Sequence, residues 1–416
     1  MPIRLRTLHA FVTLGGFIFL VAATSFTRKL SSQSHVRRLV LPSKQNASSL
    51  ASIYCERLGY DLRECRRFSL YSGGWAVQLD PHRIEKAQDE LCKLWERKTK
   101  LGGRLSVDEI HIVDRADLEK CLRGENTSPS LNKAYCRDAM AFFDTGVPVK
   151  HMIALFGDRT ADGSNLPLVT KARRITDVGN RTRILWPLNI ERHFGPLRHV
   201  GGQDINWEAK AEKLVWRGVD TGFEGERARQ IKTLRANNAG LQRLIDVAFS
   251  SHLLNPENAK YSRPWMTIGE LLRNKYLLSL EGNDVASGLK WMLYSRSVVF
   301  MPPPRCETWA MESALQPYVH YIPIEHDLSN LEARVAWARS NDAKCVNISR
   351  AATSFVKLFL NYSGTTSPKK SDISLKQGLV TLFNDVMANV TQNFQLSRCA
   401  FSFNATNGLK PLLFDS

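Results

Sequence analysis

The chain has 416 residues, of which 43% are apolar and 23% are charged, an ordinary globular composition that excludes a wholly disordered chain. Eight cysteines in this length exclude a small disulfide-stapled scaffold. The formal net charge is +17, and the first 50 residues contain seven basic and no acidic side chains, so the rest has an excess of about ten positive charges. Such a body favours an anionic partner: a nucleotide, a nucleic acid, an acidic glycan or a lipid headgroup.

One uncharged stretch, AFVTLGGFIFLVAATSF, runs from Ala10 to Phe26 with basic residues on both sides. Its length is near the short limit for crossing a bilayer. Two interpretations are open: an uncleaved signal anchor with its short end in the cytosol, or a cleaved signal peptide. The first predicts a single-pass type II membrane protein of the endoplasmic reticulum or Golgi, and the second a secreted form.

Two further features agree with a lumenal address. Five of the eight cysteines lie between Cys55 and Cys136, so we expect at least one N-terminal disulfide. The second feature is a set of seven Asn-x-Ser/Thr sequons, at Asn46, Asn126, Asn180, Asn347, Asn361, Asn389 and Asn404.

A lumenal protein with dispersed basic residues does not meet nucleic acid, and we expect no nucleic-acid partner.

The hydrophobic pattern predicts the following elements in chain order. Residues 27–50 are basic, serine-rich and typical of a stem. Apolar residues at helical spacing from Ile84 to Trp95 predict a helix. Short apolar runs that end in loop residues predict strands at 152–156, 184–186 and 214–216.

The second half alternates more clearly. It predicts strands at 276–280, 297–301 and 319–324, separated by a turn, a proline run and helices at 284–296 and 328–339, the second capped by Asp327. Strands and helices joined by short links predict a parallel sheet covered by helices, and therefore an α/β fold with two Rossmann-like lobes facing an interlobe cleft. The predicted domains are a tail, membrane segment and stem (1–50), an N-terminal lobe (51–205), a C-terminal lobe (206–375) and an extension that packs back on the body (376–416).

The turn after the strand at 276–280 is the clearest candidate site. It reads Glu281-Gly-Asn, and the predicted helix then opens with Asp284, Ser287 and Gly288. Helix N-termini bind anions through unpaired amides and the helix dipole. Gly282 suits a tight turn, and Gly288 would let a phosphate approach the backbone. The alternative is an ordinary strand–turn–helix connection with a glycine packed against a neighbour.

The segment KYLLSLEGNDVASGLKWMLYSRSVVF, from Lys275 to Phe300, resembles the C-terminal half of glycosyltransferase family 90. The resemblance continues in LQPYVHYIP, from Leu315 to Pro323, and covers about residues 270–345, with weaker matches back to about 150. That family includes fungal capsule-associated proteins and animal protein O-glucosyltransferases. The resemblance implies an inverting transferase of the GT-B fold that uses a UDP-sugar, commonly UDP-xylose or UDP-glucose, and needs no metal.

The family's motifs map onto residues of this chain. The resemblance assigns the catalytic base to Asp158, because the family has an aspartate after an N-lobe strand. It assigns the arginine that contacts the donor diphosphate to Arg217, in the Trp-Arg-Gly triplet that ends at Gly218. Donor binding falls on the segment from Glu281 to Lys290, and Glu307 or Glu312 is a candidate for the ribose hydroxyls. The donor-binding set is therefore Arg217, Gly218, Glu281, Gly282, Asn283, Ser287, Gly288, Lys290 and Glu307.

One departure from the family affects the diphosphate. Many relatives have Ser-x-Arg in this helix, whereas Ser287 is followed here by Gly288, Leu289 and Lys290. Either Lys290 replaces that arginine as a point charge, or the diphosphate is held differently. The sequence contains no Asp-x-Asp, the usual motif of metal-dependent sugar transferases, so we expect no metal and no cofactor besides the UDP-sugar.

Two functions are open. The first is a glycosyltransferase that moves xylose or glucose from a UDP-sugar to a hydroxyl of a glycan or glycoprotein. The alternative is a catalytically inactive lumenal protein that binds acidic glycans. The missing helix arginine favours the alternative, and Asp158 with Arg217 favours the enzyme.

Overall fold

The structure, a computed structural model, describes residues 55–72, 81–101, 110–125, 133–158, 160, 164–175, 183–237, 243–250, 255–363, 367 and 369–391. The chain divides into two compact units, Met1–Gln45 and Asn46–Ser416, and every described residue belongs to the second. The predicted membrane segment and stem therefore lie outside the described residues. Among the helices that are described, none is both long and apolar enough to cross a bilayer.

The strands form three sheets, and all three contribute to the candidate site. The strands are β1 (Ile110–Val113), β2 (Met152–Leu155), β3 (Leu168–Thr170), β4 (Ala172–Arg174), β5 (Arg183–Leu185), β6 (Ala211–Gly218), β7 (Ile245–Phe249), β8 (Asn274–Leu278), β9 (Val298–Met301), β10 (Cys306–Thr308) and β11 (Ile322–Pro323). The predicted strands at 152–156, 184–186, 214–216, 276–280 and 297–301 are confirmed within a few residues.

The first sheet has the order β1-β2-β3-β5. Strand β1 runs antiparallel to β2, while β2, β3 and β5 are parallel to one another. The residues of β2, β3 and β5 are buried throughout, because both faces of the sheet are covered. The parallel strands carry their loops at one edge, and the loop after β2 contains Asp158.

The second sheet is fully parallel, with the order β7-β6-β8-β9-β11. In chain order this is 2-1-3-4-5, the order of a doubly wound α/β sheet. The strand order reverses between β6 and β8, and ligands of such sheets bind outside the carboxyl ends of the strands at this point. The loops at that point contain Gly218 after β6 and the turn from Glu281 to Asp284 after β8.

The third sheet joins the two halves of the chain. It is the antiparallel pair β4–β10, in which Arg174 pairs with Cys306 and Ala172 with Thr308. Strand β4 directly follows β3 of the first sheet, and β10 follows β9 of the second. The loops of both large sheets are therefore tied together beside the carboxyl ends of their strands.

The helices cover both large sheets. They are α1 (Leu62–Ser72), α2 (Pro81–Leu101), α3 (Arg115–Arg123), α4 (Lys133–Phe143), α5 (Ile190–His193), α6 (Leu197–Gln203), α7 (Glu226–Asn237), α8 (Ile268–Leu272), α9 (Leu289–Tyr294), α10 (Leu331–Ser340), α11 (Asp342–Val356) and α12 (Lys370–Thr391). Helix α12 packs against α1 and α2, and Gln377 and Asn384 donate hydrogen bonds of 2.8 and 2.7 Å to carbonyls of the loop before β2. The C-terminal part of the chain thus returns to the first sheet.

Two predicted helix starts are wrong. The helix predicted from Asp284 begins at Leu289, because Asp284 is turned into an ion pair with Lys171 and residues 283–288 form turns. The helix predicted from Leu328 begins at Leu331, and Asp327 instead accepts a hydrogen bond of 2.9 Å from the amide of Ser329.

The expected N-terminal disulfide is present. Cys55 bonds to Cys65, and Cys121 bonds to Cys136, joining α3 to α4. Cys306 and Cys345 are free thiols, and both are buried. These two disulfides therefore lie around the first sheet. Disulfides are typical of proteins in an oxidising compartment.

Candidate active site

Asp158 lies directly after β2, beyond Gly157, whose φ of 100° is in the left-handed region that favours glycine. Its side chain is 30% exposed. Tyr135 on α4 donates a hydrogen bond of 3.2 Å to Oδ1, and the ammonium of Lys171 contacts the same oxygen. Arg192 on α5 donates to Oδ2 at 3.0 Å, and its own side chain is 53% exposed. One carboxylate oxygen is thus held inside the protein, and the other faces the solvent side.

Lys171 connects this aspartate to the second sheet. Its side chain is 3% exposed, and Nζ lies 2.8 Å from Oδ2 of Asp284, which is 4% exposed. Lys171 lies between β3 and β4, whereas Asp284 ends the turn after β8. The loop after β2 and the turn after β8, both predicted as parts of one site, therefore meet through a single buried ammonium group.

The charges of this cluster shift its acids in opposite directions. Burial raises the pKa of Asp158, but the charges of Lys171 and Arg192 and the bonds from Lys171 and Tyr135 outweigh burial, and its pKa lies below the ordinary range. For Asp284 burial dominates, and its pKa is raised despite the charge of Lys171. Lys171 stays protonated, because Asp284, Tyr135 and Asp158 outweigh burial and raise its pKa. Asp158 is consequently an ionised carboxylate at neutral pH.

The turn after β8 is held by Glu281. Its carboxylate accepts hydrogen bonds from the amides of Arg305 and Cys306, at 3.0 and 3.1 Å. Gly282 has a φ outside the left-handed region, so the backbone conformation of this turn does not itself require a glycine. A Cβ at this position would lie 3.0 Å from Nη2 of Arg227, so the glycine makes room for that guanidinium. Asn283 is exposed at the tip of the turn.

Arg227, in the first turn of α7, is a buried cation without a carboxylate in direct contact among the described residues. It donates to the carbonyls of Val219 and Leu280 at 3.0 and 2.8 Å and to the hydroxyl of Thr221 at 3.0 Å. Its Nε is buried without a hydrogen-bond partner, and among the described residues it forms no ion pair. Burial, followed by the charge of Arg192, lowers its pKa to about 10. It therefore remains protonated at neutral pH and can bind an anion.

The segment around α5 adds neutral polar groups. Oδ1 of Asn189 is buried without a hydrogen-bond partner, and the residue has a φ of 55°, in the left-handed region. Both ring nitrogens of the buried His193 also lack partners within the described part of the chain. Burial, then the charges of Lys290, Lys171 and Arg192, keep the pKa of His193 well below its ordinary value. Unpaired buried polar groups are costly, and their presence beside Arg192 is typical of a site completed by a ligand.

Lys290 does not lie free beside the turn. Nζ donates to Oε1 of Glu312 at 2.6 Å, and both side chains are 3% exposed. The amide and the hydroxyl of Thr308 donate to the same carboxylate, at 2.7 and 2.8 Å. The ammonium is therefore neutralised inside the protein, and of the two alternatives for the diphosphate this arrangement favours the one in which Lys290 is not the point charge.

Glu307 is likewise engaged. Its Oε1 accepts a hydrogen bond of 2.8 Å from Nε of Arg173, whose strand β4 pairs with β10, and Ser313 donates to Oε2 at 2.5 Å. Its side chain is 6% exposed. These contacts join the two halves of the chain, and Glu312 is similarly occupied, so all four carboxylate oxygens of the two glutamates already accept hydrogen bonds within the protein.

Arg217 lies at the end of β6 but reaches toward β7. It donates to Oδ1 of Asp246 at 3.0 Å, to the carbonyl of Asp246 at 2.9 Å and to that of Pro264 at 3.1 Å. Its side chain is 6% exposed, and it shares Asp246 with two further cations, Arg263 and Lys213. Gly218 ends the same strand, and a Cβ there would lie 2.4 Å from the ring of Trp216. This glycine is therefore explained by packing.

Ser287 and Gly288 precede α9 and are half-buried. Gly288 begins the helix without a side-chain cap, and a Cβ there would lie 3.0 Å from Nε1 of Trp291 and 3.1 Å from the Met292 side chain. The alternative of a glycine packed against a neighbour accounts for Gly288 on this geometry.

A small cavity of about 20 Å³ opens at the carboxyl ends of β8 and β9. Glu281 and Arg305 line it on one side, and the prolines from Pro302 to Pro304, which stop β9, line it on another. Its size is about that of one water molecule. It adjoins the turn after β8 through Glu281 and Val285.

Sequence reasoning did not find Lys171, Arg192 or Arg227. Arg227 follows the Trp-Arg-Gly triplet by nine residues. Its position near the start of the helix that follows β6 was the signal that could have identified it. Lys171 gave no signal, because its importance depends on a partner in the other sheet.

Comparison with known proteins gives one family. Residues 186–364 match the model of Glycosyl transferase family 90. An O-glucosyltransferase, LpsA, from Dichelobacter nodosus is 36% identical over 184 residues, which cover 44% of this chain and 52% of that protein. Protein O-glucosyltransferase 2 of Danio rerio is 28% identical over 42% of this chain and 32% of its own length. Protein O-glucosyltransferase 3 of Homo sapiens is 26% identical over 39% of this chain and 29% of its own length.

The chain spans about half the length of LpsA and about a third of the two animal proteins. The matched region contains the whole second sheet, β10 and the turn after β8, whereas Asp158 lies before it. The resemblance noted in the sequence is confirmed over residues 186–364, which match glycosyltransferase family 90.

Proposed function

We propose that the protein is an inverting glycosyltransferase that moves a sugar, xylose or glucose, from a UDP-sugar to a hydroxyl group of a glycan or protein. The observation that carries the proposal is the contact between the two halves of the predicted site. Asp158 and Asp284 share the ammonium of Lys171, which is 2.8 Å from Asp284. A base and a donor-binding turn that meet in this way have the arrangement that a single-displacement transfer requires.

The diphosphate of the donor fits beside Arg227. This guanidinium is buried, protonated, unpaired with any described carboxylate and packed against Gly282. Its helix α7 follows β6 at the point where the strand order of the second sheet reverses, and its N-terminal amides favour an anion there. We assign the diphosphate to Arg227, with Arg192 as a second cation across the cleft. The nucleoside then lies at the carboxyl ends of β8 and β9, beside Glu281 and the proline run.

The neutral groups of the α5 segment suit the transferred sugar. Asn189 and His193 have unpaired hydrogen-bonding atoms, and sugar hydroxyls both donate and accept. A neutral imidazole and an amide can hold a hydroxylated ring without competing with Asp158 for the proton.

In the chemical step, the acceptor hydroxyl attacks the anomeric carbon from the side opposite the diphosphate. The new carbon–oxygen bond forms as the bond to the diphosphate breaks, and UDP leaves with the electron pair. The acceptor proton passes to Asp158, whose Oδ2 is on the exposed side of the carboxylate. Arg227 and Arg192 stabilise the negative charge that develops on UDP, so the proposed reaction needs no metal.

The GT-B arrangement and the compartment are part of the same proposal. Two sheets with parallel strands, joined by β4–β10 and by Lys171, support two lobes around a cleft. The disulfides Cys55–Cys65 and Cys121–Cys136 support the lumen of the endoplasmic reticulum or Golgi, with the segment from Ala10 to Phe26 as signal or anchor.

A donor screen tests the function. Purified protein is incubated with single nucleotide sugars, including UDP-glucose and UDP-xylose, with and without a panel of glycosides and glycoproteins, and UDP release is measured. We expect one UDP-sugar to give acceptor-dependent release. Binding of acidic glycans without UDP release from any donor would instead support the inactive glycan-binding protein.

A further inference from the structure

We infer that Lys171 is a positioning residue that orients the catalytic base and couples it to the donor turn. This inference deepens the proposed function and rests on it. Lys171 is the group through which the two sheets share charge at the site: one ammonium contacts Asp158 of the first half and lies 2.8 Å from Asp284 of the second. The Lys171 side chain is 3% exposed, so it makes few contacts with water, and its position is set by the surrounding protein groups.

The contacts on Asp158 show what this positioning achieves. Lys171 and Tyr135 both bind Oδ1, Tyr135 at 3.2 Å, and the ring of Tyr135 also lies 5.9 Å from the Lys171 ammonium. These contacts fix the carboxylate plane and leave Oδ2 with one partner, the exposed Arg192. Long exposed side chains are easily displaced, so an acceptor hydroxyl can replace Arg192 at Oδ2 while Oδ1 stays held.

The contact with Asp284 makes this positioning depend on the donor. Asp284 is buried at the end of the turn that carries Gly282, where Arg227 packs. A donor that moves the turn also moves the carboxylate that shares Lys171. Donor binding at the turn and the alignment of the base are therefore linked through Lys171.

Electrostatics gives a readout that a purely structural lysine would not change. The groups facing Asp158 are Tyr135 on α4, Lys171 before β4, Arg192 on α5 and Asp284 after β8. Removal of the Lys171 charge takes away a stabilisation of the Asp158 carboxylate, so the pKa of Asp158 rises. The acid limb of the kcat/KM profile then moves to higher pH. The wild-type protein, with its depressed Asp158 pKa, should show a flat profile down to about pH 5.

The experiment compares Lys171→Met, Lys171→Arg and Asp284→Asn with the full-length wild-type protein, using UDP-glucose and UDP-xylose as donors and UDP affinity as the test of folding. We expect K171M to bind UDP, to lose ~100-fold in kcat or more, and to acquire an acid limb above pH 5. K171R restores the flat profile, because the charge is kept. D284N raises KM for the donor but leaves the profile flat, because Lys171 still holds Asp158.

Lys210→Met is the matched control. Lys210 is a fully buried lysine whose ammonium is 2.5 Å from Asp204, remote from Asp158 in its contacts. We expect K210M to melt at a lower temperature with an unchanged pH profile. Should K171M fail to bind UDP, Lys171→Gln, which keeps a hydrogen-bond donor without the charge, takes its place with the same expectation.

A K171M or K171Q profile that matches the wild type, or an equal shift of the profile in D284N, would show that Lys171 only joins the two halves and would overturn the inference. Wild-type protein that releases UDP from no donor would overturn the proposed function, and the inference with it. The wild-type protein distinguishes the two outcomes. If the proposed function is correct, its activity has a measurable pH profile, and if the function is wrong, it has none.

Discussion

Two buried lysines near the donor turn differ in what their partners leave open. Lys290 and Glu312 are each 3% exposed, and Thr308 satisfies the rest of that carboxylate, so the pair is closed. Lys171 is equally buried, but one of its partners, Asp158, is 30% exposed, and its Oδ2 is bound by the exposed Arg192. An ion pair with both partners buried stabilises the fold, whereas an ion pair with one partly exposed carboxylate can also contact a ligand.

The same contrast separates two arginines. Arg217 has its carboxylate in Asp246, and the two side chains are 6% and 13% exposed. Arg227 donates to carbonyls and a hydroxyl, and its Nε has no partner. The cations singled out from the sequence, Lys290 and Arg217, are paired with buried carboxylates, whereas Arg227 forms no ion pair within the described residues and Lys171 has one partner that is partly exposed.

The largest expected effect is the loss of activity on replacement of Asp158, the more exposed partner of Lys171. Asp158→Asn removes the proton acceptor but keeps the shape and the hydrogen bond from Tyr135. Loss of a general base typically lowers kcat by about 10²–10⁴-fold. We expect UDP release to fall by this factor while UDP affinity stays within about threefold of wild type. Transfer that persists in D158N would place the base elsewhere.

Disruption of the buried Lys290–Glu312 pair should lower the free energy of unfolding. Lys290→Met leaves Glu312 buried without its counter-ion, and breaking such a pair typically costs about 3–5 kcal/mol. We expect denaturant unfolding of K290M to show a loss of this size. The double variant K290M/E312Q should recover part of it, because no unpaired charge remains. A K290M protein as stable as the wild type, but with weakened UDP binding, would reopen the donor role predicted for Lys290.

The arginines give the next prediction. Arg227→Met should weaken UDP binding by about 1.5–3 kcal/mol, because a charge-assisted contact to the diphosphate is lost. Isothermal titration with UDP measures it, and Arg217→Met is the matched control, expected to lower stability with little change in UDP affinity. The reverse pattern would restore Arg217 to the diphosphate, as the family resemblance implies.

The smallest expected effect is that of metal removal. Activity measured after treatment with EDTA, and again after addition of excess Mg²⁺ or Mn²⁺, should be unchanged, because the proposed site neutralises UDP with arginines. Loss of activity with EDTA and recovery with one of the cations would contradict the metal-independent proposal.

The sequence predicted well those features that depend on local pattern. Buried strands such as β2 and β8 are visible as short apolar runs, and Asp158 follows one of them. The turn from Glu281 to Asp284 was identified by its place between a strand and a helix and by the family resemblance. The start of α9 was missed, because Asp284 is recruited by Lys171 and not by the helix.

What the sequence did not provide was pairing across the fold. Arg173 and Glu307 are 134 residues apart, and Lys290 and Glu312 are 22 apart, yet both pairs are within 2.8 Å. Whether a charged residue is neutralised depends on such partners, so the charge pattern alone did not separate Lys290 from Lys171 or Arg217 from Arg227.

The most direct test of the account is an experimental structure of the protein with UDP bound. We predict the diphosphate within hydrogen-bonding distance of Arg227, the uracil beside Pro302 to Pro304, and the terminal phosphate oxygens of UDP on the side of Asp158. UDP bound away from the turn between Glu281 and Asp284, or on the face of the second sheet opposite Asp158, would contradict it.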